Sequence, residues 1–253
     1  MRKHVLIVLA LGALIAVSAV GIATAAGGET PVTVTVGNLK LTANGGFSPT
    51  ALSKTKQTPI ALTAEGKITT TDGSHPPALK EAIIETDKNG AINVKGLPVC
   101  KESKIQSTDT AAAKKACGSA LIGTGTATAQ IQFPEQNPVN VNTQLLVLNG
   151  GYKGGTTTLY IHAYFGAPVP GALVTTLKIK KVHNGRYGLK TVASIPPLAS
   201  GSGSITSFNL KIDKKGVLTA KCTDGKLQAK TTAVFSDGTK ASAGIIRTCT
   251  PKG

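Results

Sequence analysis

Turn dipeptides recur along this chain and leave only short segments between them. Asn184-Gly185 separates two runs, residues 173–182 and 187–195. Asp224-Gly225 and Asp237-Gly238 separate three more, residues 217–222, 226–235 and 240–249. Asn-Gly and Asp-Gly accept the positive φ of tight hairpins, and short alternating runs between them read as strands. Further strands are expected at 32–36, 121–133, 156–165 and 208–212, and strands or strand pairs at 59–70 and 82–94, with Lys88-Asn89-Gly90 as a turn signal in the second. Val32, Val34 and Val36 fall in one phase and Leu39 and Leu41 in the other, so Gly37-Asn38 must hold a bulge or a tight turn. Residues 145–148 are uniformly apolar, as in a strand covered on both faces. Residues 79–84 admit a short helix as an alternative. Turns at such spacing fit a sandwich or a barrel. The expectation is an all-β chain, with β-sandwich-like antiparallel sheets and one short helix near residues 108–117.

That helix belongs to an insert flanked by Cys100 and Cys117. Ser107 or Thr108 can cap it, Asp109 suits its first turn, Ala111, Ala112 and Ala113 favour it, and Gly118 stops it. A helix this short needs a cross-link or packing to persist. The chain has four cysteines, which allow three pairings. Cys100–Cys117 and Cys222–Cys249 are favoured by proximity. The second pair raises a geometric problem. If residues 217–249 form a simple three-stranded meander, the two cysteines stand two strand spacings apart, about 9.6 Å. That is too far for a bridge, so the ends must curl, or one outer strand must leave for another sheet.

The N-terminus reads as an export leader. Arg2 and Lys3 precede an apolar stretch over residues 5–22, and Ala23-Thr24-Ala25 and Thr24-Ala25-Ala26 fit small-x-small cleavage. Residues 1–26 are expected to be a signal peptide, the rival being an uncleaved anchor. Residues 27–253 are expected to form one secreted domain, with 27–96 as a separable part at most. Disulfides suit that oxidising compartment.

The formal net charge is +16, of which Arg2 and Lys3 carry two. Almost all the other basic residues are lysines, which act as hydrated point charges rather than bidentate forks. The densest runs are Lys101, Lys104, Lys114 and Lys115 around the helix, and Lys178, Lys180, Lys181, Arg186 and Lys190. This balance points to long-range attraction toward an anionic envelope polymer or membrane surface. It does not point to a specific nucleic-acid site.

Tyr160, His162 and Tyr164 alternate on one strand and share a face, which makes them the candidate ligand-binding row. His75 and His183 are expected in loops. No CxxC, HExxH or EF-hand pattern occurs, and neither a metal nor a cofactor is expected. No GxSxG occurs and no acidic pair stands out, so no catalytic residue is nominated. The absence of tryptophan weighs against a stacking glycan module.

The motifs GLPVC at 96–100, AAAKKACGSALIGTGTA at 111–127, RYGLKTVASIP at 186–196, and AKCTDGKLQ, FSDGT and RTC toward the C-terminus form a pattern over residues 39–249. It resembles a group of secreted proteins of high-GC Gram-positive bacteria of the actinobacterial lineage. The resemblance implies an exported bacterial β-protein. No activity is established for that group, so no residue inherits a role. The expected function is a secreted, non-enzymatic structural or interaction protein associated electrostatically with the anionic cell envelope. An extracellular hydrolase acting near Tyr160, His162 and Tyr164, or a glycan-binding module, is the alternative.

Overall fold

The computed structural model describes residues 20–24, 30–166 and 170–253. In chain order the strands are β1 (Val20–Thr24), β2 (Val32–Val36), β3 (Leu39–Ser48), β4 (Ala51–Ser53), β5 (Thr58–Thr70), β6 (Leu79–Asp87) and β7 (Gly90–Ile92). The helix α1 (Thr110–Cys117) follows, then β8 (Leu121–Ile131), β9 (Val139–Lys153), β10 (Thr156–Phe165), β11 (Gly171–Asn184) and β12 (Tyr187–Ser194). The chain ends with β13 (Gly203–Ile212), β14 (Leu218–Ala220), β15 (Lys226–Phe235), β16 (Lys240–Thr248) and β17 (Thr250–Lys252). The all-β class with one short helix is as expected. Residues 79–84 lie within β6 rather than in a helix.

Of the two architectures compatible with the turn spacing, the sheet takes the barrel-like one. Its ladder runs β16-β15-β6-β12-β11-β10-β9-β8-β13-β5 and continues through β3 to β2. Each of these pairs is antiparallel, and β16 comes back beside β2, so the sheet is nearly closed. At the seam, β1 pairs with β16 in parallel and lies next to β2. The expected leader, 1–26, therefore lies outside the described residues except for Val20–Thr24, which the structure seats as an edge strand. Among the described residues no helix is long and apolar enough to cross a membrane.

The phase change near residue 37 is a tight turn. Gly37 has φ +58°, and Val36 pairs with Leu39 and Val34 with Leu41, so both phases reach one face. The disulfides are Cys100–Cys117 and Cys222–Cys249, with Cα separations of 5.3 and 6.0 Å. The meander problem is solved by departure of an outer strand. β14 does not pair with β15; it lies between β5 and β7. β7 and β14 cross the upper opening of the barrel, where Val94 and Val217 join the core inside it. This upper end carries the β9–β10, β11–β12 and β6–β7 turns. The lower end carries the β2–β3 and β15–β16 turns and the loops after β5, β8 and β10.

The interior is packed on one side. Val147, Leu159, Leu177, Ile179 and Ile212 point inward from β9, β10, β11 and β13 and form one cluster with Ile122. On the outer wall, the insert lays Ile105, Ala113 and the Cys100–Cys117 bridge over Leu146 and Leu148 of β9. This explains the uninterrupted apolar run there, since both faces are covered. The helix cap differs from expectation. Asp109, not Ser107 or Thr108, is the N-cap, and its Oδ1 accepts the Ala112 amide at 2.8 Å. The Thr108 hydroxyl donates instead to the Ile105 carbonyl.

A buried ion cluster ties the upper end. Asp87, 3% exposed, accepts from Arg186 Nε at 2.6 Å and from the amides of Asn89 and Gln228. Arg186 also grips Asp224 through both terminal nitrogens and donates to the Lys226 carbonyl. That grip holds the Asp224 carboxyl below the usual range.

Closure demands close strand contact at Gly125. A Cβ there would sit 2.1 Å from the Asn209 carbonyl oxygen, a backbone atom that cannot step aside. Gly125→Ala should therefore cost at least about 1–3 kcal/mol. Gly118→Ala, which meets open space, should stay within about 0.5 kcal/mol. Urea unfolding of the two variants measures the difference.

Candidate functional site

Tyr160, His162 and Tyr164 do share the outward face of β10, but the insert roofs it. His162 is 0% exposed, and its Nε2 donates to the Thr108 carbonyl at 2.9 Å. Its Nδ1 has no hydrogen-bond partner among the described residues, which suits the neutral ring, whose second nitrogen carries only a lone pair. Burial pushes the imidazole below its ordinary pKa, against the opposing pull of the Thr108 carbonyl and Asp109. Tyr160 packs against the same insert, and burial raises its phenol. The backbone of Tyr164 exchanges hydrogen bonds with the Thr143 hydroxyl. The middle member of the row thus holds the insert to the barrel and offers no face to a ligand.

The other histidines lie far from it. His183 sits near the end of β11 rather than in a loop. His75, in the loop after β5, lies between Gln130 and Ser204, with Nδ1 2.9 Å from Gln130 Oε1 and Nε2 3.1 Å from Ser204 Oγ. The spacing imitates a nucleophile, a base and an orienting group, but the proton runs the wrong way. Ser204 is 2% exposed and donates its only proton to the Pro76 carbonyl at 2.6 Å, so it has none to give to the ring. The cluster latches the loop after β5 to the start of β13. Its members are widely separated in sequence and share no motif, so no sequence signal marked it.

The electrostatics are polarised along the barrel. The loop before β5 carries Lys54 and Lys56, the β6–β7 turn Lys88, and the ends of β9 and β11 Lys153 and Lys181. All of these stand at the upper end, as do Lys214, Lys215, Lys221 and Lys226. Three acids there are in ion pairs, Asp87 and Asp224 with Arg186 and Asp213 with Lys211, and Glu85 accepts from the Asn184 amide. The lower end carries Asp72, Glu135 and Asp237 in its turns beside Lys40, Lys80 and Lys240 at strand starts, so acids and lysines are balanced there. Among the described residues, Lys211 is the one lysine in an ion pair. Sequence runs did not reveal this grouping, because antiparallel order gathers turns distant in the chain. Two apolar side chains stand out at the same end. Val99 is 57% and Tyr152 47% exposed, and Lys95 Nζ lies 4.6 Å from the Tyr152 ring centroid. Arg186, one of the expected basic runs, is committed to its carboxylates.

Inside the barrel, the side opposite the packed cluster holds a cavity of about 310 Å³. It runs past the inward residues of β3, β5, β6, β15 and β16. A cleft on the outer wall is polar and self-satisfied, for Glu65 accepts from both Asn44 and Asn209.

No family model matches the chain, and neither a curated protein nor a solved structure matches it.

Two outcomes follow from these contacts. His162 has a folded pKa below the unfolded value of about 6.5. Its neutral state stabilises the fold fully above that value, and this contribution is lost as pH falls toward the folded pKa. The urea midpoint should therefore drop between about pH 7 and 5, and His162→Gln should flatten that part of the profile. Ser204→Ala leaves the Pro76 carbonyl without its donor and should cost about 1–3 kcal/mol in the same assay.

Proposed function

We propose that this chain is an exported, non-enzymatic interaction protein that attaches by its upper end to the anionic surface of the cell envelope. The observation that carries this reading is the axial polarity of charge: lysines outside ion pairs converge at one end, where three of the acids are already paired with cations. Tyr152 and Val99 at the same end suit an interface, since an amphipathic ring beside a lysine serves at a membrane–water boundary. The leader over residues 1–26, the oxidised cysteines and the resemblance to secreted proteins of the actinobacterial lineage agree with this location. Burial of His162 beneath the insert weighs against a hydrolase working at that row.

Lysines near an anionic surface contribute about 1 kcal/mol each and are screened within a Debye length of about 10 Å at 0.1 M salt. Purified protein should bind washed envelope at low salt and release at about 0.2–0.5 M. Exchanging Lys54, Lys88, Lys153 and Lys181 together for Gln should weaken binding by about a hundredfold or more. The same change at Lys40, Lys80 and Lys240, outside the upper end, should alter it far less. Retention unchanged by salt, or equal effects of the two sets, contradicts this reading.

A further inference from the structure

We infer that the hollow side of the barrel binds the hydrocarbon of a single-chain lipid. The inference stands on the interior of the barrel and does not depend on surface attachment.

The cavity exists because small residues face inward where the opposite wall carries large ones. Ala64 on β5, Ala82 on β6, and Ala229 and Ala233 on β15 line it, with Gly66 between them. Its remaining wall is aliphatic, with Leu41, Ile60, Leu62 and Ile84 prominent. Many of these inward side chains, Leu62, Ala64, Ile84 and Ala229 among them, are only half-buried, whereas Val147 and Leu159 across the lumen are fully buried. The space is bounded below by Leu39, Ile68 and Phe235, and above by Leu52, Ala220 and the Cys222–Cys249 bridge.

Chemistry selects the ligand class. The charged side chains at the wall are engaged by protein. Asp87 is held by Arg186 and two amides, and Arg247 donates to the Gly45 carbonyl and to Asn44 Oδ1. Among the inward side chains of β6 and β15, the hydroxyls of Thr86 and Thr231 are the polar groups a guest or a water meets. At a liquid share of about 30 Å³ each, roughly ten waters would have to forgo most of their hydrogen bonds. Hydrocarbon fits such a wall without cost.

Shape narrows the class further. The lining residues of β5 run from Ile60 to Ile68, a contour of about 26 Å at the rise of a strand. With the usual tilt of barrel strands, this gives about 20 Å along the axis. A volume of about 310 Å³ spread over that length makes a narrow bore. It suits one extended chain and not a fused-ring sterol. The volume lies at the lower edge of ligand pockets, about 300–1,000 Å³.

The test is titration of the purified mature chain with cis-parinaric acid, a linear polyene fatty acid whose emission rises on leaving water. It is run at about 0.5 M salt, where surface electrostatics are screened. Saturable one-to-one uptake is expected, with displacement by hexadecanoate and not by cholesterol. Among saturated acids, affinity should rise about fourfold per added methylene and level off once the bore is full. Ala82→Phe and Ala229→Phe should each weaken uptake at least tenfold, while Lys230→Phe, on the outer face of β15, should leave it unchanged. Absence of uptake overturns the proposal. So does displacement by sterol equal to that by hexadecanoate, or undiminished uptake in lumen variants that unfold cooperatively. Should both variants fail to fold, the chain-length series on the unaltered protein decides: a rise with no plateau indicates adsorption outside the bore and overturns the proposal. Envelope binding plays no part in this readout, so either conclusion can fail alone.

Discussion

Each strand added to a sheet pairs one edge and opens another, and the backbone N–H and C=O groups on a bare edge must find partners or stay in water. In this chain the ladder bends until β16 returns beside β2, and β1 pairs the edge of β16 at the seam. Close contact at Gly123 and Gly125 lets β8 and β13 approach where side chains would block them. A sheet this wide encloses more room than one layer of side chains fills. The chain meets that surplus unevenly. Large residues and the β7–β14 crossing fill the side beneath β9, β10 and β11, and alanines leave the other side hollow. The cavity is thus a consequence of closure combined with small inward residues.

Antiparallel order also determines the electrostatics. Successive turns alternate between the ends of the barrel, so the residue type placed in every second turn accumulates on one rim. Lys88, Lys153 and Lys181 are far apart in sequence and share the upper rim for this reason. The acids on that rim serve a structural purpose. Asp87 and Asp224 converge on Arg186, which locks the β11–β12 hairpin to the start of β15. Removing their charge from play leaves the lysines to set the field outside.

Local chemistry was legible from the residues alone. Hairpin turns, strand phases, the covered run at 145–148 and the short helix follow from backbone preference and side-chain alternation, which act within a few residues, and both cysteine pairs follow from nearness along the chain. Circumference was not legible, because it depends on which strands meet across the whole chain. The row of Tyr160, His162 and Tyr164 shows the boundary between the two. Alternation correctly put the three side chains on one face, but nothing local revealed that the Cys100–Cys117 insert folds back over that face. The latch of His75, Gln130 and Ser204 and the lysine rim were hidden for the same reason. The helix cap was misplaced by a residue or two, since Ser107, Thr108 and Asp109 all carry oxygens able to cap and only packing of the insert selects Asp109.

The inward alanines have a consequence for how such a chain can change over generations. Strand register here rests on hairpin turns, backbone ladders and glycine contacts, while Ala64 and Ala229 lie half-buried at the hollow and Ala82 and Ala233 border it from the packed clusters. A single codon change at one of them would alter the calibre of the interior and leave the shell standing. Drift at these positions is therefore decoupled from drift in the fold. One scaffold can supply a series of homologous containers graded by size, each a few substitutions from the next.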